Sequence, residues 1–228
     1  LHSAWALTTS EGIILIDTIY SYNSEELIIG GMTKLGLDPK TVKYVIITHA
    51  HGDHVGGAKM MQDRYGSRIV IGAVDWDYIE QSVNRFGQGA TSIKPRKDIV
   101  ATDGMKITLG DTSVTLLSTP GHTPGTTSLS FQVKDNGKPL NVAYSGGTAF
   151  NFVNTIDNFQ TYMDSQKKMG AMVEATKATV LMSNHTEFDD AVKKIKMMPG
   201  RKPGEAHPFE LGQEAVGIVA PRVEVDSN

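Results

Sequence analysis

Thr48-His49-Ala50-His51-Gly52-Asp53-His54 places four side chains able to bind a metal within six residues. A β-branched run from Val42 leads into this stretch, and a helix-like pattern from Val55 to Tyr65 follows it. The arrangement predicts a buried strand that delivers the cluster to a sheet edge. In an extended segment, residues two apart point the same way, so His49 and His51 can reach one ion together. Asp53 and His54 fall where the chain turns and can aim at a different point. Four ligands this close would crowd a single tetrahedral ion that also needs an open position. Two neighbouring ions relieve the crowding, and such pairs are a recurrent hydrolytic device.

Composition narrows the chemistry. The chain has 228 residues, a formal net charge of −3 and no cysteine. That length predicts a single domain, 1–228, able to bury roughly 70–75% of its unfolded surface. The charge balance gives no case for nucleic acid or an anionic membrane. Without thiolates, any zinc must be held by His and carboxylate. No apolar segment approaches the ~20 residues needed to span a bilayer. The opening, Leu1-His2-Ser3-Ala4-Trp5, starts almost inside a strand, as in a mature or trimmed product.

The remaining chain supplies three more points. Ser3 to Thr9 and Gly12 to Ile16 read as a hairpin, and Asp17 ends its apolar second run. Asp17 is either a carboxylate that orients a metal-bound His or an ordinary turn residue. A helix N-capped by Ser24 follows, with Leu27, Ile28, Met32 and Leu35 on its apolar face. Ser82 to Asp98 holds Arg85, Lys94, Arg96 and Lys97 among glycines and a proline, as an active-site wall or lid or as a surface excursion. Strands then succeed one another from Ile99 to Tyr144. Between two of them, Thr119-Pro120-Gly121-His122-Thr123-Pro124-Gly125 fixes one His at a strand end. Asn158 to Ala175 reads as a long helix with a core stripe of Phe159, Tyr162, Met163, Met169, Met172 and Val173. Thr179 to Met182 is a buried strand ending at Ser183-Asn184-His185, with a helix from Glu187 to Met197 beyond it. Three strand ends thus each present His, which argues for a composite site. His2 and His207 read as bystanders.

Taken in order, Leu15-Ile16-Asp17, His49-Ala50-His51-Gly52-Asp53-His54, Pro120-Gly121-His122-Thr123-Pro124-Gly125 and Asn184-His185 resemble the metallo-β-lactamase superfamily. The resemblance covers most of the chain and is far more specific for the fold than for the substrate. It implies an α/β fold, a four-layer αββα sandwich, with two zinc ions at the sheet edge. One ion would take His49, His51 and His122, and the other Asp53, His54 and His185. Asp53 would also hold and orient the attacking hydroxide. Many relatives, lactonases and thioesterases among them, carry an Asp that bridges both metals, and Gly147 stands at that position here. The pattern is most like the cysteine-free subclass of true β-lactamases. That subclass usually has serines near Gly147 and Ala149. Ser145, Thr148, Asn151 or a basic residue such as Arg96 stand as substitutes for substrate contact.

The expected activity is zinc-dependent opening of the β-lactam amide ring by a metal-bound hydroxide, and with it antibiotic resistance. A lactone or ester hydrolase of the same superfamily is the alternative, and a catalytically silent zinc-binding homologue the third. The expected partner is a small-molecule substrate, with no nucleic acid and no membrane. The resemblance implies a periplasmic or secreted protein.

Overall fold

The computed structural model describes residues 1–81, 94–151 and 153–219. Trp5–Thr9 (β1) and Gly12–Ile16 (β2) form the expected hairpin, with Trp5 opposite Ile16. Val42–Ile46 (β3), Arg68–Gly72 (β4) and Ile99–Ala101 (β5) then add in parallel to give a sheet ordered β1-β2-β3-β4-β5. The second sheet contains Lys106–Leu109 (β6), Thr112–Ser118 (β7), Thr127–Asp135 (β8), Lys138–Ser145 (β9) and Val180–Ser183 (β10). Its order is β10-β9-β8-β7-β6, and all its pairs are antiparallel except β10 with β9.

The continuous apolar runs are explained by what covers each face. Along β2, Ile14 and Ile16 point into the layer between the sheets, while Ile13 and Leu15 point the other way into a helical layer. Val45 and Ile46 on β3, and Ile69 and Val70 on β4, divide in the same manner. Strands with both faces buried lose the polar half of the usual alternation. Ile14, Ile16 and Ile46 are wholly buried, and each such side chain contributes about 1.5–3 kcal/mol.

Gly30–Lys34 (α1), Gly52–Val55 (α2), Ala58–Tyr65 (α3) and Ala73–Gln81 (α4) lie on the outer side of the first sheet, where Met32, Val55, Met61 and Trp76 pack. Ile156–Thr176 (α5) covers the second sheet through Met169, Met172 and Val173. Thr186–Asp189 (α6), Ala191–Met197 (α7) and Gln213–Val219 (α8) complete the described helices, and Val216 of α8 joins the cluster beneath α5. This is the expected αββα sandwich. Among the described residues, no helix is long and apolar enough to cross a membrane.

Several local expectations are corrected. Ser24 has helical dihedrals and makes no capping bond; the chain enters α1 through a π-helical stretch, Glu25–Ile29. On that segment Ile28 and Met32 are buried, whereas Leu27 and Leu35 are exposed. Leu35 lies past the last turn, as the C-cap residue. The helix expected from Val55 is interrupted at Gly56-Gly57, where an added Cβ would lie 2.3 Å from Ser21 N or 2.7 Å from Ser24 Cβ. The helix expected over Glu187 to Met197 breaks at Asp190, whose φ is 54°. Phe159 is exposed rather than core, because the first turns of α5 overhang the sheet; its ring stacks on Phe150 instead.

Candidate metal centre

β3 ends at Ile46, and the next residues leave the sheet under tight control. The Thr48 amide donates to Asp17 Oδ1 at 2.7 Å, its hydroxyl donates to Asp17 Oδ2 at 2.8 Å, and its carbonyl accepts from Thr127 N at 2.8 Å. His51 is extended (φ −68°, ψ 149°) and is the N-cap of α2, so the chain turns between His51 and Asp53. His122 sits in the loop between β7 and β8, held from α5 by Ser165 Oγ donating to the Pro120 carbonyl at 2.7 Å. His185 directly follows the end of β10.

These elements gather the predicted side chains into two groups. In the first, His122 Nε2 lies 3.2 Å from His51 Nδ1, and the His49 ring is 4.5 Å from that of His122. In the second, His54 Nε2 lies 3.2 Å from His185 Nε2 and 3.3 Å from Asp53 Oδ2. Two atoms bound to one tetrahedral zinc at roughly 2.0–2.1 Å are about 3.3 Å apart. The spacings therefore suit donors arranged around a common centre. His49 supplies a separate test of fit. Its Nδ1 contacts the Gly146 carbonyl at 2.9 Å, and its buried Nε2 has no hydrogen-bond partner. A buried nitrogen costs free energy unless something accepts its lone pair, and a cation within the group would do so. Imidazole and carboxylate donors without thiolate suit zinc, as they suit iron, copper and nickel.

The electrostatics separate the groups further. Burial, then the neighbouring His54, holds His49 well below the ordinary imidazole value; burial also lowers His122 and His185. These rings are neutral at neutral pH, the form that binds a metal. His54 behaves oppositely. Burial would lower it, but the Asp17 and Asp53 carboxylates outweigh burial and push it up to about 9. For Asp53, burial pushes upward, yet its contact with His54 holds the carboxyl well below the usual range. Asp17, one of the two readings of which was an ordinary turn residue, lies wholly buried with Oδ2 2.9 Å from His54 Nδ1.

The other predicted residues divide. Ser145 and Thr148 line a cavity of about 210 Å³ together with Gly147, Tyr162, Met169, Leu181 and Phe188; none of the six predicted ligands lines it, and Gly147 is the wall residue that abuts His122. Asn151 does not line it; its backbone amide donates to the Gly121 carbonyl at 3.1 Å, in the His122 loop. Arg96 is paired with Asp63 on α3. Most of the expected lid, 82–93, lies outside the described residues. His2, read as a bystander, lies among the second group, with its Nδ1 2.9 Å from Asp53 Oδ2. His207 stays apart, with its ring against Phe209.

The metallo-β-lactamase superfamily model matches residues 1–137, more than half of the chain. The chain belongs to the metallo-β-lactamase superfamily. It is a superfamily of hydrolases whose members bind metal ions, typically zinc. The chain is similar to the subclass B3 metallo-β-lactamase BJP-1 of Bradyrhizobium japonicum, with 28% identity and a TM-score of 0.77 over 96% of this chain and 83% of that one. A β-lactamase from Chitinophaga pinensis matches with 26% identity and a TM-score of 0.75 over 95% and 84%. In sequence, an N-acyl homoserine lactonase of a Bacillus species is 24% identical over 83% of each chain. A hydroxyacylglutathione hydrolase of Acidiphilium cryptum is 34% identical over 36% of this chain and 28% of its own.

Two further residues of this superfamily member carry much of the site's framework, and the sequence assigned a role to neither. Asp75, in the first turn of α4, is almost wholly buried. Its Oδ2 accepts from Ala50 N and Thr123 Oγ1, both at 2.8 Å, and its Oδ1 accepts from Gly125 N at 2.9 Å. One carboxylate thus joins the His49–His51 turn to the His122 loop. Asn184 Nδ2 donates to the Gly146 carbonyl at 2.8 Å and Thr48 Oγ1 at 3.0 Å, joining the end of β10 to the end of β9. The Asn184-His185 pair marked the second position. Nothing in the sequence around Asp75 distinguished it from an ordinary helix-opening acid.

Proposed function

We propose that this chain is a two-zinc hydrolase of cyclic acyl compounds, with the β-lactam amide ring as its substrate. The observation that carries the reading is the separation of the donors into two groups, with no carboxylate shared between them among the described residues. Gly147, where lactonase-like relatives are expected to carry a bridging Asp, has its backbone flush against His122; an added Cβ would stand 2.5 Å from His122 Cβ. Similarity to subclass B3 β-lactamases over most of the chain supports the same reading.

In this proposal His49, His51 and His122 hold one ion, and Asp53, His54 and His185 hold the other. When bound, zinc polarises a carbonyl and makes water acidic enough to react near neutral pH. The chain's own residues position everything else. Asp53 remains a carboxylate and so accepts a hydrogen bond from the attacking water rather than donating one. Asp17 fixes the His54 ring, and the Gly146 carbonyl fixes the His49 ring. Ser145 and Thr148, which line the cavity, are the hydroxyl residues assigned to a substrate carboxylate in this reading. A β-lactam would be met outside the cytoplasm, and a periplasmic or secreted placement goes with this reading.

A lactone is the second reading, and two observations favour it. The lactonase relative spans most of both chains, and the cavity wall of Tyr162, Met169, Leu181 and Phe188 suits an acyl chain. The test is a chromogenic cephalosporin assay run beside a lactone-opening assay on zinc-loaded protein, with a chelator control. Chelator-sensitive turnover of the cephalosporin is expected. Lactone opening with no β-lactam turnover would replace the first reading by the second, and inactivity on both would overturn both.

A further inference from the structure

Beyond the six predicted donors, one buried nitrogen has no purpose in the site so far described. His2 Nδ1 is shielded from solvent and lacks a hydrogen-bond partner, although Asp53 Oδ2 is only 2.9 Å away. The two atoms are close without the angle that a hydrogen bond needs. Donors facing a common cation approach one another in this way.

His2 is also held in place by the backbone. It forms an antiparallel bridge with His185. On either side of it, Ser3 N donates to the Asn184 carbonyl at 3.0 Å and Thr186 N donates to the Leu1 carbonyl at 2.9 Å. Ser3 Oγ adds a bond to the Ser183 carbonyl at 3.1 Å. The segment before β1 therefore runs alongside the end of β10 and presents His2 next to His185. Its ring meets those of Tyr20 and His185 edge-on, at 5.1 and 4.8 Å. One potential ligand atom from each of His2, Asp53, His54 and His185 lies within 4.8 Å of every other.

We propose that His2 is a fourth protein ligand of the ion held by Asp53, His54 and His185. The inference rests on the two-zinc reading above and refines it. Three imidazoles and one carboxylate complete a tetrahedral set, the closed kind of site that holds zinc without an open position. The three-His group then keeps the open position at which a substrate is met. The ordering that ligation requires is already provided by the strand-like pairing of residues 1–3, so little freedom is lost on binding.

The experiment is a zinc titration of the chain against a competing chromophoric chelator, for the wild type, His2→Ala and His2→Phe, with circular dichroism to check folding. Phenylalanine keeps the ring packing against Tyr20 and His185 but carries no nitrogen. The wild type is expected to take up two equivalents. Both variants are expected to keep one equivalent at unchanged affinity and to hold the second at least about tenfold more weakly, the lower end of what losing even an outer-shell partner costs. A Phe variant that matches the wild type would reduce His2 to packing and overturn the proposal. Uptake of fewer than two equivalents by the wild type would sink the two-zinc reading and the proposal with it. A second measurement needs no variant: in cobalt-loaded wild type, the second equivalent is expected to give the intense visible absorption of a four-coordinate ion, and a weak six-coordinate spectrum would count against ligation by His2.

Discussion

Asp17 Oδ2 lies 2.9 Å from His54 Nδ1, with both side chains wholly buried. Asp17 leaves β2 with φ 58°, a left-handed turn that swings its carboxylate beneath the cluster. There it accepts the Thr48 amide and hydroxyl as well as the His54 ring. With Nδ1–H directed at the carboxylate, His54 Nε2 is the nitrogen left to face His185 and Asp53. An Asp17→Asn variant keeps the shape but turns an amide N–H toward the ring or toward Thr48. We expect zinc affinity at the Asp53 group to fall about 10–100-fold, as for other partners of metal-bound His. Chelator competition measures this, and wild-type affinity in a folded variant would show that the contact does not orient the ring.

The same pair sets a pH dependence. In the metal-free chain His54 titrates at about 9, against an ordinary value of 6.5. At neutral pH the ring is therefore an imidazolium, and an ion at Nε2 must displace its proton. Apparent zinc affinity of this group should rise about tenfold per unit between about pH 6 and pH 8, and level off above about 9. The linkage for folding has the opposite sense. Because the folded value lies above the unfolded one, the stabilisation of the metal-free protein is complete below 6.5 and is lost as pH rises through about 9. Calorimetric titrations in buffers of different ionisation enthalpy would register the released proton, and affinity that does not change with pH would contradict the assignment.

How far the sequence revealed this site depends on the range over which each signal acts. The donors on β-strand ends were legible because a strand followed by a tight turn is a local pattern, as in His49-Ala50-His51-Gly52-Asp53-His54. The doubly buried strands were legible for the same reason, since Ile13 to Ile16 are apolar without a break. Asp75 was not legible, because its three donors lie 25 to 50 residues away in sequence. His2 escaped for a similar reason. Its placement comes from pairing with residues 183–186, and no local pattern encodes such a bridge. Leu27 and Leu35 were misassigned because helical spacing was extended through a π-helical stretch and beyond a helix end.

Asp75 can be tested through stability. Burial raises its carboxyl above the ordinary value, and its three accepted bonds only partly offset that. Asp75→Ala leaves the Ala50 and Gly125 amides and the Thr123 hydroxyl without their acceptor. The Thr123 hydroxyl can turn to Thr126 Oγ1, 2.9 Å away, but the two amides have no such alternative; at about 1–3 kcal/mol for each unsatisfied buried donor, a loss of about 2–6 kcal/mol is expected. In a chain of this size that lowers Tm by about 4–24 °C. Because the carboxylate joins the His49–His51 turn to the His122 loop, zinc binding by the three-His group should weaken as well. A thermal melt and a zinc titration on one preparation separate the two effects. An unchanged melt would mean that water or a neighbouring group replaces the carboxylate.

Gly147 is the sharpest test of how closely the first group is packed. A Cβ there would stand 2.5 Å from His122 Cβ and 3.0 Å from Thr126 Cγ2. The first contact is far inside van der Waals range, and neither neighbour is the far end of a flexible chain. His122 Nδ1 is also committed to the Ala149 carbonyl at 2.8 Å, so the ring cannot swing away without breaking that bond. Gly147→Ala should therefore displace His122 from His51 and lower zinc affinity at the three-His group by about tenfold or more, with the Asp53 group unaffected. Gly147→Asp should do at least as much harm, even though it restores the carboxylate expected of lactonase-like relatives. A Gly147→Asp protein that bound two zinc ions as tightly as the wild type and gained lactone opening would show that the backbone yields here. In that case the absence of the bridging carboxylate would no longer favour the β-lactam reading over the lactone one.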